Sequence, residues 1–181
     1  MITMKSLIIS LLVISTVTFS PAQKRAFTIA DLYKVKSIAD PQFSPDGKKI
    51  AFTVTESFLA EGKTNAEVYI ADADGSNPKN VTNNPASDNH PRWSPDGKWI
   101  AFTSLAGNFQ ICIVRAQGGD AIVVGTGEDP SWAANSRALI FCHGPDHSKK
   151  LSLLDVPTKQ VKDIARILES NSQSQPSWAK Q

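Results

Sequence analysis

At 181 residues, with 41% hydrophobic and 20% charged side chains, the chain is long enough for one domain with its own core. Its 19 basic and 17 acidic residues leave a net charge of +2, and no block of like charges occurs. This balance argues against nucleic-acid binding, which needs Lys and Arg clustered on one face, and against an acidic tail or basic arm.

Residues 1–22 read as a signal peptide. Lys5 supplies a positive start, Leu7 to Phe19 is an apolar run broken by small hydroxyl residues, and Ser20-Pro21-Ala22 offers a cleavage site before Gln23. The run falls short of the roughly 20 apolar residues that a spanning helix needs. An uncleaved anchor or a buried strand is the alternative. With the leader removed, no membrane span is expected, and the mature chain is expected to be periplasmic or secreted. Residues 23–40 form a lead-in segment.

A repeat follows. Residues 41–53, PQFSPDGKKIAFT, and 91–103, PRWSPDGKWIAFT, are identical at ten of thirteen positions. A degraded copy, PSWAANSRALIFC, occupies 130–142, and a fourth begins at Pro176-Ser177-Trp178. In each unit a short extended stretch ends in an aromatic residue. Ser44-Pro45-Asp46-Gly47 or Ser94-Pro95-Asp96-Gly97 then makes a tight turn, because Pro pre-sets φ, Asp bonds its own backbone and Gly accepts positive φ. Ile50 to Thr53 and Ile100 to Thr103 read as second strands buried on both faces. Third strands follow at Val68 to Ala71 and Gln110 to Val114, and polar fourth strands at Pro78 to Thr82 and Ala121 to Val124. The third unit continues with Leu151 to Asp155 and Val161 to Ala165. Its turn, Ala134-Asn135-Ser136, is expected to differ in type, since Ser accepts a left-handed conformation less readily than Gly.

Four short antiparallel strands in roughly 40–50 residues, repeated, define a propeller blade. A β-sandwich of equal strand count is the alternative, but it has no need of one strand–turn–strand motif recurring at the same place in each unit. The expected fold is all-β: a β-propeller of three four-stranded antiparallel blades (41–90, 91–129 and 130–175) plus a closing strand at 176–181. That is half of a six-bladed ring.

The WSPDGKxIAF block, the DADG-type turn and the Val-Thr ending resemble the propeller repeats of the TolB family over residues 41–181. The stretch Phe27 to Leu32 and Asp40 to Gly47 also resembles the opening of the propeller in prolyl-oligopeptidase-type peptidases. Those enzymes need an α/β-hydrolase domain with a G-x-S-x-G elbow. No such pentapeptide occurs in this sequence. The first resemblance implies a non-enzymatic envelope scaffold acting in protein transport, with a partner such as a Pal-like lipoprotein and no cofactor. The second implies a gating or accessory propeller module without its catalytic domain. Two open blade faces further suggest a homodimeric ring, latched by Ser174 to Lys180, or else a truncated product.

Candidate chemistry is sparse. His143 and His147 are separated by Gly144-Pro145-Asp146, which prevents the helical spacing that converges two metal ligands, so no metal site is expected. Asp72-Ala73-Asp74-Gly75 lacks the later ligands of a calcium loop, and Gly125-Thr126-Gly127 lacks the context of a phosphate loop. Cys112 and Cys142 lie in apolar strands and read as buried thiols, with a disulfide left open. No nucleophile is paired with a base. Propeller function lies in loops at one face, which selects Asn89, His90, Arg92, Glu128, Asp129 and Ser131 as a partner-binding mouth.

Overall fold

The computed structural model describes residues 25–145 and 149–164. The expected signal peptide at 1–22, His147 and the expected closing strand at 176–181 lie outside the described residues. A four-residue helix α1 (Ile29–Leu32) precedes twelve strands that form three four-stranded antiparallel sheets. The first holds β1 (Ser37–Phe43), β2 (Lys49–Phe58), β3 (Lys63–Asp72) and β4 (Lys79–Asn80). The second holds β5 (Asp88–Trp93), β6 (Trp99–Ser104), β7 (Gln110–Arg115) and β8 (Ile122–Thr126). The third holds β9 (Glu128–Trp132), β10 (Ala138–His143), β11 (Lys150–Asp155) and β12 (Gln160–Asp163). Within each sheet the strands follow chain order, so every connection is a hairpin. Among the described residues, no helix is long and apolar enough to cross a membrane.

The blades stack through their alternating faces. Ala51, Val68 and Ile70 of the first sheet pack against Ile100, Phe102, Cys112 and Val114 of the second. Ala101, Ile111 and Ile113, on the opposite face of that second sheet, pack against Trp132, Leu139, Phe141 and Leu154 of the third. Both faces of β6 are therefore buried, which explains its continuous apolar run. β1, β5 and β9 contact one another in series and form the inner edge of the arc.

The turns repeat as closely as the strands. Gly47 and Gly97 adopt φ of 70° and donate their N–H groups to the Ser44 and Ser94 carbonyls. Against expectation, the third turn has the same form. Ser136 adopts φ 54° and its N–H donates to the Ala133 carbonyl at 3.0 Å. Asn135 Oδ1 accepts from Arg137 N, as Asp46 and Asp96 accept from Lys48 and Lys98. The Ser136 hydroxyl accepts from Asp96 N at 2.9 Å, so a neighbouring blade holds the residue that Gly would otherwise supply.

Other boundaries differ from the sequence reading. β2 and β3 extend to Phe58 and from Lys63, well beyond the strands expected at Ile50 to Thr53 and Val68 to Ala71, because cross-strand pairing continues as far as Phe58 opposite Lys63. β4 is two residues long, since only Asn80 and Lys79 pair with β3. The inner strands begin before the proline of each unit, and β5 runs through 90 and 91.

Both cysteines are free and buried. Burial pushes the Cys112 thiol up to about 12 and the Cys142 thiol to about 11, so neither is a nucleophile at neutral pH.

Candidate site at the inner strands

Each inner strand is broken at the same place. Its register slips between Ala39 and Gln42 in β1, between Asn89 and Arg92 in β5, and where Glu128 and Ser131 of β9 face Cys142 and Ile140. The residue before the proline adopts a left-handed conformation in all three: Asp40 at φ 48°, His90 at 54° and Asp129 at 54°. Asp and His are among the few non-glycine residues enriched there. A bulge of this kind re-aims one side chain out of the strand's alternation.

Charged side chains at and beside these bulges meet across the blades. Arg92 Nη1 lies 2.6 Å from Asp40 Oδ2, joining the second blade to the first. His90 Nδ1 lies 2.7 Å from Asp129 Oδ1, joining the second blade to the third. Gln42 Nε2 donates to Asp40 Oδ1 at 2.8 Å, and Asp129 N donates to Thr103 Oγ1 at 3.1 Å. Further along the same edge, Gln42, Arg92 and Ser131 line a groove of about 220 Å³ with Phe43, Trp93 and Trp132. Two acids, an imidazole and a guanidinium thus alternate in sign along three strands.

The six residues singled out by sequence separate. His90, Arg92 and Asp129 come together, and Ser131 lines the adjoining groove. Asn89 is half-buried in β5, opposite Thr103. Glu128 instead pairs with Lys149 beside a separate cavity of about 330 Å³, lined by Phe109, Gly127 and Cys142. Asp40 and Gln42 complete the cluster, yet sequence reasoning missed Asp40 by placing it in the lead-in segment. The signal was present: Asp40-Pro41, His90-Pro91 and Asp129-Pro130 align across the repeat.

Elsewhere, acidic groups serve local structure. Asp72 and Asp74 accept bonds from Asn77 and Ser76 within their own turn. His143 Nε2 lies 3.1 Å from Asp163 Oδ1. Among the described residues, no three His, Cys, Asp or Glu side chains are grouped to hold a metal ion.

The Asp129 carboxylate raises the His90 pKa above its ordinary value, against the opposing effect of burial. A raised histidine pKa contributes stability that is fully present below about pH 6.5 and is lost as pH rises through the folded-state value. Denaturant midpoints measured from pH 5.5 to 8.5 should therefore fall with rising pH, and His90→Gln should flatten that slope. An unchanged slope in the variant would show that the ion pair is not coupled to folding.

Three four-stranded sheets stacked around a common inner edge define an arc of a β-propeller. The TolB β-propeller domain profile matches residues 22–181, and the chain belongs to that family. Similar solved structures include the propeller domain of the Trilobed protease from Pyrococcus furiosus, at TM-score 0.59 and 18% identity over 75% of this chain and 45% of that one. The putative TolB from Agrobacterium tumefaciens matches at TM-score 0.59 and 22% identity, covering 75% of this chain and 51% of the other. An acylaminoacyl peptidase from Pyrococcus horikoshii matches at TM-score 0.59 and 20% identity, covering 74% and 25%. The chain thus spans between a quarter and about half of these structures. Comparison with curated proteins found no match.

Proposed function

We propose that the chain is a non-enzymatic scaffold of the cell envelope that binds a partner protein through the inner-strand cluster of Asp40, His90, Arg92 and Asp129. The observation that carries this reading is the paired bulge geometry. Asp40, His90 and Asp129 are equivalent left-handed residues; His90 and Asp129 pair with each other across one blade seam, and Asp40 pairs with Arg92 across the other. Strained backbone of this kind persists where the surrounding structure over-determines it, and it clusters at binding surfaces. Membership of the TolB family and the leader-like residues 1–22 support an envelope location, and a Pal-like lipoprotein is the partner to try first.

Calorimetric titration of the mature chain with the soluble domain of such a lipoprotein tests the proposal. Arg92→Ala should weaken binding by about thirtyfold, as an interfacial arginine anchor does, while thermal unfolding stays cooperative. Equal affinity in wild type and variant would place the interface elsewhere.

A second reading is favoured by the equal likeness to peptidase propellers. In it the same edge gates access to a catalytic domain on another chain. Association with a separately expressed hydrolase, and no affinity for the lipoprotein, would select it.

A further inference from the structure

The first blade carries a hairpin longer than its counterparts. β2 and β3 are ten residues each, where β6, β7, β10 and β11 are six. Residues 55–58 pair with 63–66 beyond Val54 and Glu67, the pair that corresponds to Ser104 and Gln110 at the end of the second hairpin. Extra length within one repeat tends to gather at one face, often the binding face. A cavity of about 200 Å³ lies against this extension, lined by Glu56 and Phe58 of β2, Glu67 and Tyr69 of β3, Asn80 of β4, and Asn83. Strand alternation brings these side chains together, since Val68 and Ile70 turn the other way into the core.

Both acids are already engaged. Glu56 pairs with Lys36. Glu67 Oε1 accepts from Asn65 Nδ2 at 2.8 Å and from Asn84 N at 3.1 Å, and its Oε2 accepts from the Thr82 hydroxyl. The cavity therefore offers hydrogen bonds more than free charge, which disfavours a bare cation or an anion as its ligand. Asn80 Oδ1 accepts from Thr82 N at 3.0 Å and from Asn83 N at 3.1 Å, so its amide is fixed and its Nδ2 donors remain for a ligand. The Tyr69 hydroxyl and the Asn83 amide add groups that both donate and accept. Aromatic surface adjoins them: Tyr69 stacks on Phe52 with ring centroids 6.0 Å apart, and Phe58 is 38% exposed.

We propose that this cavity binds one pyranose ring of a neutral saccharide, with the C–H face of the sugar against Phe58 and its hydroxyls on Asn80, Asn83 and Tyr69. Sugar hydroxyls donate and accept, as amides and phenols together do, and the C–H face of the ring is apolar enough to pack on an aromatic side chain. The cavity is smaller than the roughly 300–1,000 Å³ of a drug-sized pocket, which suits a single ring with any further rings outside it.

Saturation-transfer NMR of the mature chain with glucose, N-acetylglucosamine, cellotetraose and chitotetraose tests the site. Transfer to the ring C–H protons of at least one probe is expected. Phe58→Ala and Asn80→Ala should each weaken that binding by about tenfold, with thermal unfolding still cooperative. Binding of the tetramers alone would identify a glycan chain as the ligand, and equal binding of the monosaccharides a free sugar; both support the proposal. No transfer to any of the four probes would overturn it, as would equal affinity in the wild type and both variants.

Discussion

Trp132→Ala should lower the unfolding free energy by about 3–5 kcal/mol, the cost of truncating a large buried aromatic side chain. Trp132 is 7% exposed and joins Ala101, Ile111 and Ile113 of the second blade to Leu139, Phe141 and Leu154 of its own. Its indole also satisfies the Arg92 carbonyl. Trp132→Phe keeps most of the burial and removes that hydrogen bond, so a loss of about 1–2 kcal/mol is expected. Denaturant unfolding followed by circular dichroism measures both. A Trp132→Ala loss below about 1 kcal/mol would show that the blades do not depend on this seam.

Gly127→Ala should destabilise by about 3 kcal/mol, with backbone strain and overpacking acting together. Gly127 is the one-residue crossing from β8 to β9 and has φ of 151°. A Cβ there would lie 2.5 Å from the Cys142 carbonyl oxygen and 2.5 Å from Phe141 Cδ2. The first is backbone within β10, and the second belongs to a ring that is 1% exposed, so neither has room to yield. Gly127 N also donates to the Phe109 carbonyl at 2.7 Å, which fixes the crossing in place. The same denaturation assay gives the test, and a variant as stable as wild type would mean that the crossing shifts freely.

The architecture was legible because the blade motif repeats its physical parts: a turn with Asp or Asn, an apolar run, and an aromatic residue two positions beyond a proline. The less legible features depend on neighbours distant in sequence. Ser136 adopts the left-handed conformation with Asp96 N bonded to its hydroxyl, and Asp96 lies on another blade. β2 and β3 lengthen because each pairs with the other, a property of neither strand alone. At the site, His90, Arg92 and Asp129 were found by their place in the loops between blades. Asp40 was missed because the repeat was taken to start at Pro41, which cut the bulge from its own strand. Glu128 was drawn away by Lys149, whose approach no local pattern announces.

Hydrogen exchange of the complex between the mature chain and the soluble domain of a Pal-like lipoprotein tests the central claim most directly. The account predicts that binding protects peptides containing residues 40–42, 89–92 and 128–131, where the bulges carry the charge pairs. Protection confined to the turns at Ser44–Gly47 and Ser94–Gly97, or to the outer strands β4, β8 and β12, would contradict it.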